Sequence, residues 1–336
     1  MEQIRFGVIA LRMGGSHVSG MQDVKEAKLS AVCDINPKTA EDFGKKYGVP
    51  YYTDYREMLE KEKLDAVVVA TPDQSHCECT VAALEKGCHV LCEKPMALSL
   101  DECRAMIKAA EKSGKKLAVG QVCRKAPGFM LAKKLVSDGE IGELFFVESE
   151  YAHDYALIPG IGCWRTDPVH LRHPVIGGGC HAIDLLRWIA GDPSEVTAYS
   201  NRKMLKDWPV DDCTVAIMKF PNDVIGKVFT SVGCKRTYTM RTVLYGSKGT
   251  IICDNTSDHI TVMRETEPGK ISTTEYPVDI KSHNVASEIK EFCEDIMLDR
   301  PATTDGYEGA RTVAVGCAIV KSCAEGTPVK VDYDFS

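Results

Sequence analysis

A glutamate and a lysine at the end of a short apolar segment are the residues best suited to chemistry. Cys92-Glu93-Lys94-Pro95 follows His89-Val90-Leu91, and a charged pair at the end of a buried strand lies where open α/β sheets bind their ligands. Pro95 restricts the backbone of the residue before it, and a lysine held beside a cofactor is a candidate proton donor or acceptor with a lowered pKa. Taken alone, the tetrapeptide is more typical of an ordinary solvated Glu-Lys pair, so other segments are needed to choose between the two.

The composition indicates a globular protein of two domains. The chain has 336 residues, of which 44% are hydrophobic, and a net charge of −7. The length favours two domains, and the charge argues against a general nucleic-acid binder or a protein of anionic membranes. No apolar run reaches the roughly 18 residues of a membrane span, and Met1-Glu2-Gln3-Ile4-Arg5 lacks the layout of a signal peptide. We therefore expect a cytoplasmic protein.

The fifteen cysteines are interpreted as reduced thiols. Disulfides are not expected without a secretory signal, and a buried thiol behaves as a small apolar side chain. The sequence has no Cys-x-x-Cys, and His76-Cys77-x-Cys79 and His170-x-x-His173 fit no common zinc pattern. We predict no metal site.

The first third of the chain alternates between strand and helix patterns. Strands that alternate with helices of about 10–15 residues predict parallel βαβ units in a doubly wound sheet. The predicted strands are Ile4–Ala10, Leu29–Asp34, Ala66–Ala70, His89–Leu91 and Leu117–Gly120. The predicted helices are Pro37–Tyr47, Tyr55–Glu62, Ser75–Lys86 and Leu100–Ser113, and Gly48, Gly87 and Gly114 are expected to follow helix ends.

The pattern changes near residue 123. The following strands are separated in places by hairpin signals such as Gly246-Ser247-Lys248-Gly249, which is typical of an antiparallel sheet. They are Leu144–Ala152, Thr214–Phe220, Val224–Val232, Arg241–Tyr245 and Thr250–Cys253, with helices at Cys180–Ala190 and Ser287–Leu298. We therefore predict a dinucleotide-binding α/β domain over 1–122 and an α+β domain over 123–336.

The segment after the first strand is a degenerate phosphate-binding turn. Dinucleotide-binding folds carry G-x-G-x-x-G here, whereas Ala10-Leu11-Arg12-Met13-Gly14-Gly15 keeps only the third glycine, Gly15. Small residues at a helix N-terminus still expose N–H groups that attract phosphate. The candidate cofactor residues of this segment are Arg12, Met13, Gly14 and Gly15.

Asp34 ends the second predicted strand. A carboxylate there hydrogen-bonds the adenosine ribose and repels a 2′-phosphate, which favours NAD over NADP. Arg12 and Lys38 weaken this preference because either could reach a phosphate. Alternatively, Asp34 forms a turn before Asn36-Pro37.

With these segments in order, the chain resembles the Gfo/Idh/MocA oxidoreductase family along nearly its whole length. The segments that carry the resemblance are Gly7-Val8-Ile9 with Met13-Gly14-Gly15-Ser16-His17, Cys33-Asp34-Ile35-Asn36-Pro37, Ala70-Thr71-Pro72-Asp73-Gln74-Ser75-His76, Gly87 through Pro95, Trp164-Arg165-Thr166-Asp167-Pro168, Gly177 through Asp184, and Gly246-Ser247-Lys248-Gly249. The resemblance implies a Rossmann domain followed by a domain with a large open antiparallel sheet, which commonly forms the interface of a homo-oligomer, here a dimer or tetramer.

The resemblance also implies site residues. It places Lys94 at the reaction centre beside the nicotinamide and identifies His181 with the catalytic histidine. The residues that it places on the cofactor side are Thr71, Pro72, His76, Glu93, Lys94, Gln121, Trp164 and Arg165.

One position departs from the family pattern. Family dehydrogenases often carry an aspartate four residues before the histidine, and this chain has Gly177 there. Asp184, one helical turn after His181, is expected either to take over the orienting role or to pair with an arginine such as Arg187. Asp167 is a second candidate for the missing carboxylate.

The segment from His153 to His173 combines aromatic and charged residues with proline and glycine. An aromatic face packs on the C–H groups of a sugar while charged groups bind its hydroxyls. A lid or subunit-contact loop is the alternative. The candidate substrate-binding residues are Lys94, Arg124, His153, Tyr155, Arg165, Asp167, His181 and Asp184.

The predicted function is hydride transfer between NAD and a secondary hydroxyl of a sugar, glycoside or cyclic polyol. A histidine has a free pKa near 6.5 and suits a general base, so His181 is assigned this role, with Lys94 stabilising the developing alkoxide. The two roles could also be exchanged. One alternative is redox-neutral cleavage of a glycoside, in which transient oxidation permits elimination. Another is a sensor of sugar or cofactor without catalysis.

Overall fold

The computed structural model describes residues 3–156, 158, 160–279 and 283–336, which form two compact units. The first unit comprises the chain up to Gln121, together with Val285–Ala310 and Phe335–Ser336. The second comprises Val122–Asn284 and Arg311–Asp334. The predicted division into 1–122 and 123–336 therefore misses the return of the chain to the first unit after residue 284.

The helices and strands follow in chain order. The helices are α1 (Leu11–Met21), α2 (Pro37–Tyr47), α3 (Tyr55–Lys61), α4 (His76–Glu85), α5 (Leu100–Ser113), α6 (Pro127–Ser137), α7 (Pro174–Gly177), α8 (Cys180–Ala190), α9 (Val285–Met297) and α10 (Gly306–Glu325). The strands are β1 (Ile4–Ile9), β2 (Ala27–Cys33), β3 (Tyr51–Tyr52), β4 (Ala66–Val69), β5 (His89–Cys92), β6 (Leu117–Val119), β7 (Leu144–Ala152), β8 (Glu195–Asn201), β9 (Cys213–Lys219), β10 (Ile225–Ser231), β11 (Thr239–Gly246), β12 (Gly249–Asp254), β13 (His259–Glu267), β14 (Lys270–Pro277) and β15 (Val329–Lys330). None of the helices in the described ranges is both long and apolar enough to cross a bilayer.

The first unit contains a parallel sheet of six strands in the order β3-β2-β1-β4-β5-β6. This confirms the predicted doubly wound parallel sheet. The strand order reverses between β1 and β4, and ligands of such sheets bind beyond the carboxyl ends of the strands at this switch point. The sheet edge that follows β1, β4, β5 and β6 is therefore the place to look for a cofactor site.

Local sequence explains several helix ends of this unit. Asn36 accepts hydrogen bonds from the N–H groups of Lys38 and Thr39 at the start of α2, which is the usual capping interaction. Ser99 and Glu102 form a capping box at the start of α5. Gly48 and Gly114 end α2 and α5 in the left-handed conformation, as predicted for these glycines.

Helix α9 belongs to the core of the first unit. Its residues Ile289, Phe292 and Cys293 are buried in the cluster that contains Phe6 and Val8 of β1. The Phe6 and Phe292 ring centroids lie 6.4 Å apart. Full burial of a large apolar side chain stabilises a fold by about 1.5–3 kcal/mol. The apolar face of α9 therefore fixes this late segment to the first unit, although the sequence places it after the second domain.

The second unit is built on a sheet of nine strands in the order β14-β13-β12-β11-β7-β10-β9-β8-β15. The pairs are antiparallel except for β7 with β10, which run parallel. The predicted large and mostly antiparallel sheet is thus confirmed. Helix α8 packs against β7, β10 and β11, so His181 in its first turn faces the middle of the sheet.

Candidate active site

Lys94 is the second residue after β5, at the carboxyl edge of the parallel sheet. Strand β5 pairs with β4 on one side and β6 on the other, and Cys92 aligns with Val69 and Val119. The Lys94 side chain is half-buried, and the peptide bond between Lys94 and Pro95 is cis. Lys94 thus occupies a central position on the edge where such sheets bind ligands, and its part in the reaction stays a prediction.

Glu93 is buried and hydrogen-bonded within the protein. Its Oε1 lies 2.8 Å from Nε2 of His17, which is fully buried in α1, and its Oε2 accepts the backbone N–H of Lys94. Burial by itself raises the pKa of Glu93, but the hydrogen bond and charge of His17 outweigh it and lower this pKa to about 2. The Glu93 carboxylate thus joins α1 to the backbone of the Lys94 segment, and its contact with the cofactor stays a prediction.

The same contact raises the pKa of His17. Burial lowers its pKa, whereas the hydrogen bond and charge of Glu93 and the charge of Glu288 raise it, and the net pKa lies above the usual 6.5. A buried His17–Glu93 ion pair therefore lies beneath Lys94. The sequence shows His17 only as part of a motif, and this contact cannot be predicted from it, since 76 residues separate the partners.

The ion pair predicts a pH dependence of stability that Glu93→Gln removes. The Glu93 contribution is present above the unfolded pKa of 4.5 and is lost as the pH falls toward 2, whereas the His17 contribution is present below 6.5 and is lost as the pH rises through its raised pKa. The free energy of unfolding of wild type should thus exceed that of Glu93→Gln by about 3 kcal/mol between pH 4.5 and 6.5. Urea unfolding measures this difference. The exposed variant Glu60→Gln serves as the control, and a difference that does not change with pH would contradict the ion pair.

His76 is also a structural residue. It is 1% exposed, and its ring nitrogens lie 2.8 Å from the Pro95 carbonyl oxygen and 3.0 Å from that of Thr71. Burial lowers its pKa, but Cys92, Asp73 and the Pro95 carbonyl raise it to about 10. Both nitrogens connect the loop after β4 to the loop after β5, and contact of His76 with a cofactor stays a prediction.

The start of α1 differs from the predicted glycine turn. The helix begins at Leu11, so Gly14 and Gly15 lie inside it and not at its N-terminus. Ala10 takes the position of the missing glycine with φ of 67°, a conformation that costs a non-glycine residue of order 1–3 kcal/mol. A side chain at Gly14 would meet Val8 at 2.7 Å. The close helix–strand packing therefore requires Gly14, whereas sequence reasoning gave that place in the motif to Gly15.

Asp34 connects the end of β2 to the start of α1. Its Oδ2 accepts the N–H of Leu11 at 2.8 Å, and its Oδ1 accepts the N–H of Asn36 at 2.9 Å. The predicted turn role of Asp34 is therefore present. Each carboxylate oxygen has a second lone pair, so the same side chain can still accept ribose hydroxyls.

Two unsatisfied polar atoms test whether this edge suits NAD. Oγ1 of Thr71 and Oε1 of Gln121 are buried and have no hydrogen-bond partner among the described residues. Buried polar atoms normally have partners, and an exception calls for a ligand or a water. Thr71 follows β4 and Gln121 follows β6, on either side of Lys94, where a nicotinamide and its ribose supply donors. Arg12 and Met13 are exposed at the start of α1, and Pro72 is half-buried, so the residues of this edge fit the cofactor.

In the second unit, His181 lies in a cluster of aromatic rings. It is 2% exposed, and its ring centroid is 6.4 Å from that of Tyr151 and 5.3 Å from that of His283. Its Nδ1 lies 3.4 Å from Sγ of Cys123. The helix start that carries His181 can approach the sheet closely because Gly178 and Gly179 have no side chains. A side chain at either position would overlap Tyr151 or Thr230.

The predicted sugar-binding residues divide into two groups. His153, Tyr155 and Arg165 join the aromatic cluster. The His153 and Tyr155 ring centroids lie 5.1 Å apart, and the Arg165 guanidinium lies 4.3 Å from the Trp164 ring and 5.5 Å from that of Tyr155. The cluster therefore combines ring faces with hydrogen-bonding groups, which suits a sugar. Asp167 lies 3.0 Å from Nδ1 of His170, which lowers the Asp167 pKa, and its contact with a substrate stays a prediction.

Arg124 and Asp184 form a buried ion pair. Two Arg124 nitrogens donate to the Asp184 carboxylate at 2.8 and 2.6 Å, and the two residues are 4% and 1% exposed. Thr312 donates a further hydrogen bond to Asp184, while Arg187 lies 3.8 Å away. The assignment of both residues to the substrate stays a prediction, and the expected pairing of Asp184 with an arginine is realised mainly by Arg124.

The position of the expected aspartate is occupied by an arginine side chain. A side chain at Gly177 would overlap the guanidinium of Arg172, which is 4% exposed and lies 5.1 Å from the Trp164 ring centre. The structure thus places a cationic group where the family pattern has a carboxylate. This replacement of a carboxylate by a guanidinium could not be predicted from the sequence, because only the folded chain shows that the Arg172 side chain lies against Gly177.

Comparisons with known proteins agree with this architecture. Residues 4–121 match a family model described as "Oxidoreductase family, NAD-binding Rossmann fold", and residues 129–252 match the model of the GFO/IDH/MocA C-terminal domain. A myo-inositol 2-dehydrogenase of Thermotoga maritima is 26% identical over 343 residues, with 98% of this chain and 99% of that protein covered. A D-glucoside 3-dehydrogenase of Escherichia coli is 33% identical over 201 residues, or 59% of this chain and 56% of that protein.

The fold agrees with a solved structure as well. A levoglucosan dehydrogenase in complex with NADH superposes with a TM-score of 0.89 at 22% identity, covering 98% of this chain and 100% of that one. Together with the parallel sheet, the Lys94 segment and the His181 helix, the two domain matches leave one assignment. The chain belongs to the Gfo/Idh/MocA family of NAD-dependent oxidoreductases.

Proposed function

We propose that this protein oxidises a secondary hydroxyl of a sugar, glycoside or cyclic polyol with NAD. The observation that carries the proposal is the pair of buried, unsatisfied atoms, Thr71 Oγ1 and Gln121 Oε1, on the sheet edge that presents Lys94. The aromatic cluster around His181 supports a sugar-like substrate. The dehydrogenases of myo-inositol and glucosides among the relatives act on ring hydroxyls by their names, which favours the same class here.

The proposed chemistry gives Lys94 and His181 separate roles. NAD supplies the hydride acceptor when it is bound. His181 takes the proton of the substrate hydroxyl, while the Lys94 ammonium donates a hydrogen bond to the same oxygen and stabilises its developing negative charge. The Tyr155, Trp164 and Arg165 group holds the ring of the sugar. The proton and the hydride leave the same CH–OH group, so the product is the corresponding ketone.

A substrate panel tests this proposal. Purified protein is first analysed by mass spectrometry for bound NAD or NADP and then supplied with NAD and with inositols, glucosides and free sugars. The expected result is formation of NADH in proportion to the ketone. Absence of turnover with every member of all three substrate classes, from protein shown to bind NAD, would contradict the proposal and favour a sensor.

The cofactor preference has its own basis. Asp34 places a carboxylate at the end of β2, and its two oxygens accept the backbone N–H groups of Leu11 and Asn36, which orient it. A fixed negative charge at this position favours the ribose diol of NAD over a 2′-phosphate. NADP is therefore expected to bind more weakly.

Redox-neutral cleavage of a glycoside is the second candidate. The replacement of the expected carboxylate by the Arg172 guanidinium beside Gly177 favours it, because the site departs from that of a simple dehydrogenase. In this reaction, NAD would be reduced and then reoxidised within one turnover. Release of the aglycone without net NADH would support cleavage, and stoichiometric NADH would exclude it.

We also propose a homo-oligomer through the sheet of the second unit. Tyr199, Val215 and Phe229 align across β8, β9 and β10, and Tyr199 is 77% exposed. Ile217 and Ile225 are also exposed apolar residues of these strands. An exposed apolar patch of this kind marks an interaction surface.

Replacing two of these residues tests the oligomer. Wild type is expected to run as a dimer or tetramer in light scattering, and Val215→Lys with Ile217→Lys as a monomer, because two charges at an apolar interface are costly to bury. Lys203→Glu, an exposed change outside the strands, is the control. A monomeric wild type would contradict the proposal.

A further inference from the structure

Cys123, His181 and His283 present one ligand atom each to a common point. Sγ of Cys123, one ring nitrogen of His181 and one of His283 all lie within 4.8 Å of one another. They come from the segment after β6, the first turn of α8 and the segment before α9. Three separate parts of the chain therefore bring a thiol and two imidazoles together. Neither of the His/Cys spacings considered in the sequence includes any of these residues.

The distances are close to those of a tetrahedral zinc site. With Zn–S near 2.3 Å and Zn–N near 2.0–2.1 Å, the sulfur and nitrogen ligands of one zinc ion lie about 3.5 Å apart. The distance between Cys123 Sγ and His181 Nδ1 is 3.4 Å. The ligand atoms lie within 4.8 Å of one another, so the distances to the third ligand have to shorten by roughly 1.3 Å at most to complete the same triangle.

The surroundings suit a site with one open position. Cys123 and His181 are buried, whereas His283 is exposed, so a metal ion can enter from the side of His283. The Tyr238 hydroxyl lies 3.4 Å from Nε2 of His283, which resembles the outer hydrogen bonds that orient metal-bound imidazoles. Three protein ligands with an open fourth position are typical of zinc sites that exchange a water or a substrate.

We propose that Cys123, His181 and His283 bind a zinc ion. Thiolate and imidazole ligands favour zinc over magnesium or calcium. Binding releases the thiol proton of Cys123 and occupies Nδ1 of His181. Under the function proposed above, a metal-bound His181 cannot accept the hydroxyl proton, so zinc occupancy and base catalysis by His181 exclude each other. This last point alone rests on the proposed function.

Cobalt(II) and zinc titrations of the full-length protein test the site without any substrate. Cobalt is expected to give one equivalent of a thiolate-to-metal charge-transfer band, which zinc then displaces. Cys123→Ser should abolish the band, and His283→Ala, at an exposed position, should weaken cobalt binding by about a hundredfold, since each removes one of three ligands. Cys163→Ser removes the exposed thiol and should leave the titration unchanged.

Two results would overturn the proposal. One is a wild-type protein that gives no thiolate band at a several-fold excess of cobalt, and the other is a band that survives in Cys123→Ser or disappears in Cys163→Ser. The link to catalysis is read separately, as the ratio of turnover rates with and without zinc. That ratio should fall in wild type and stay near one in Cys123→Ser. An inactive enzyme that still shows the cobalt band would contradict the proposed function and not the metal site.

Discussion

Lys94→Met is expected to lose about three orders of magnitude in kcat. Methionine keeps the length of the side chain and removes the ammonium group that would stabilise the developing alkoxide. Removing one donor of this kind typically costs about 10²–10³-fold, and loss of a proton-transfer group costs about 10²–10⁴-fold. The Glu93 contacts to His17 and to the Lys94 backbone do not depend on the lysine side chain. The measurement is steady-state NADH formation on the best substrate of the panel.

The design separates catalysis from folding and cofactor binding. NADH affinity, followed by fluorescence, should change by less than about tenfold in Lys94→Met, because its phosphates and adenosine lie away from this residue in a Rossmann site. Lys86→Met, at an exposed lysine paired with Glu60, is the matched control. His181→Gln and the double variant Lys94→Met/His181→Gln are compared with Lys94→Met by their fold loss in kcat. If the three losses are about equal, the two residues act in one step, since the effects of groups that act together are not additive. An unchanged kcat in both single variants would contradict the catalytic assignment.

Asp184→Asn is expected to destabilise the protein by about 3–5 kcal/mol. Asp184 and Arg124 form a buried ion pair with two hydrogen bonds, and removal of one partner leaves an uncompensated buried charge. The free energy of unfolding in urea is the measurement. Asp138→Asn in the same unit, which affects an exposed pair with Lys134, should change it by less than about 1 kcal/mol.

A double variant distinguishes the ion pair from a substrate site. Replacing Arg124 by Met and Asp184 by Leu removes both charges and should recover most of the lost stability, because apolar replacement of a whole buried pair is often neutral. The substrate KM of the double variant should remain close to wild type. A stable Asp184→Asn protein with a strongly raised KM would instead support the original assignment of Asp184 to the substrate.

Sequence reasoning predicted the features that depend on local patterns. The alternation of strands and helices predicted the parallel sheet, and Gly48 and Gly114 predicted the ends of two helices, because backbone conformation decides these features within a few residues. The position of Lys94 at the end of a buried strand followed from the same alternation. The return of Val285–Ala310 to the first unit could not be predicted, since an amphipathic helix has the same pattern whichever core it joins.

The side-chain partners were beyond the reach of local patterns. Arg124 and Asp184 are 60 residues apart, and His17 and Glu93 are 76 apart. In both cases the charges suit a ligand equally well, and only the folded chain shows that they satisfy each other. Burial decides the matter, because a charge removed from water needs a partner within the protein.

The division of the first unit between two distant parts of the chain sets the order in which it can be made. Residues up to Gln121 leave the ribosome well before Phe292, which completes their core. At about 5–20 residues per second, roughly ten to thirty seconds of translation separate the two. During that interval the apolar surface around Phe6 and Val8 lacks the α9 residues that cover it in the folded protein, so the first unit cannot complete its core until the intervening second-unit segment has been made.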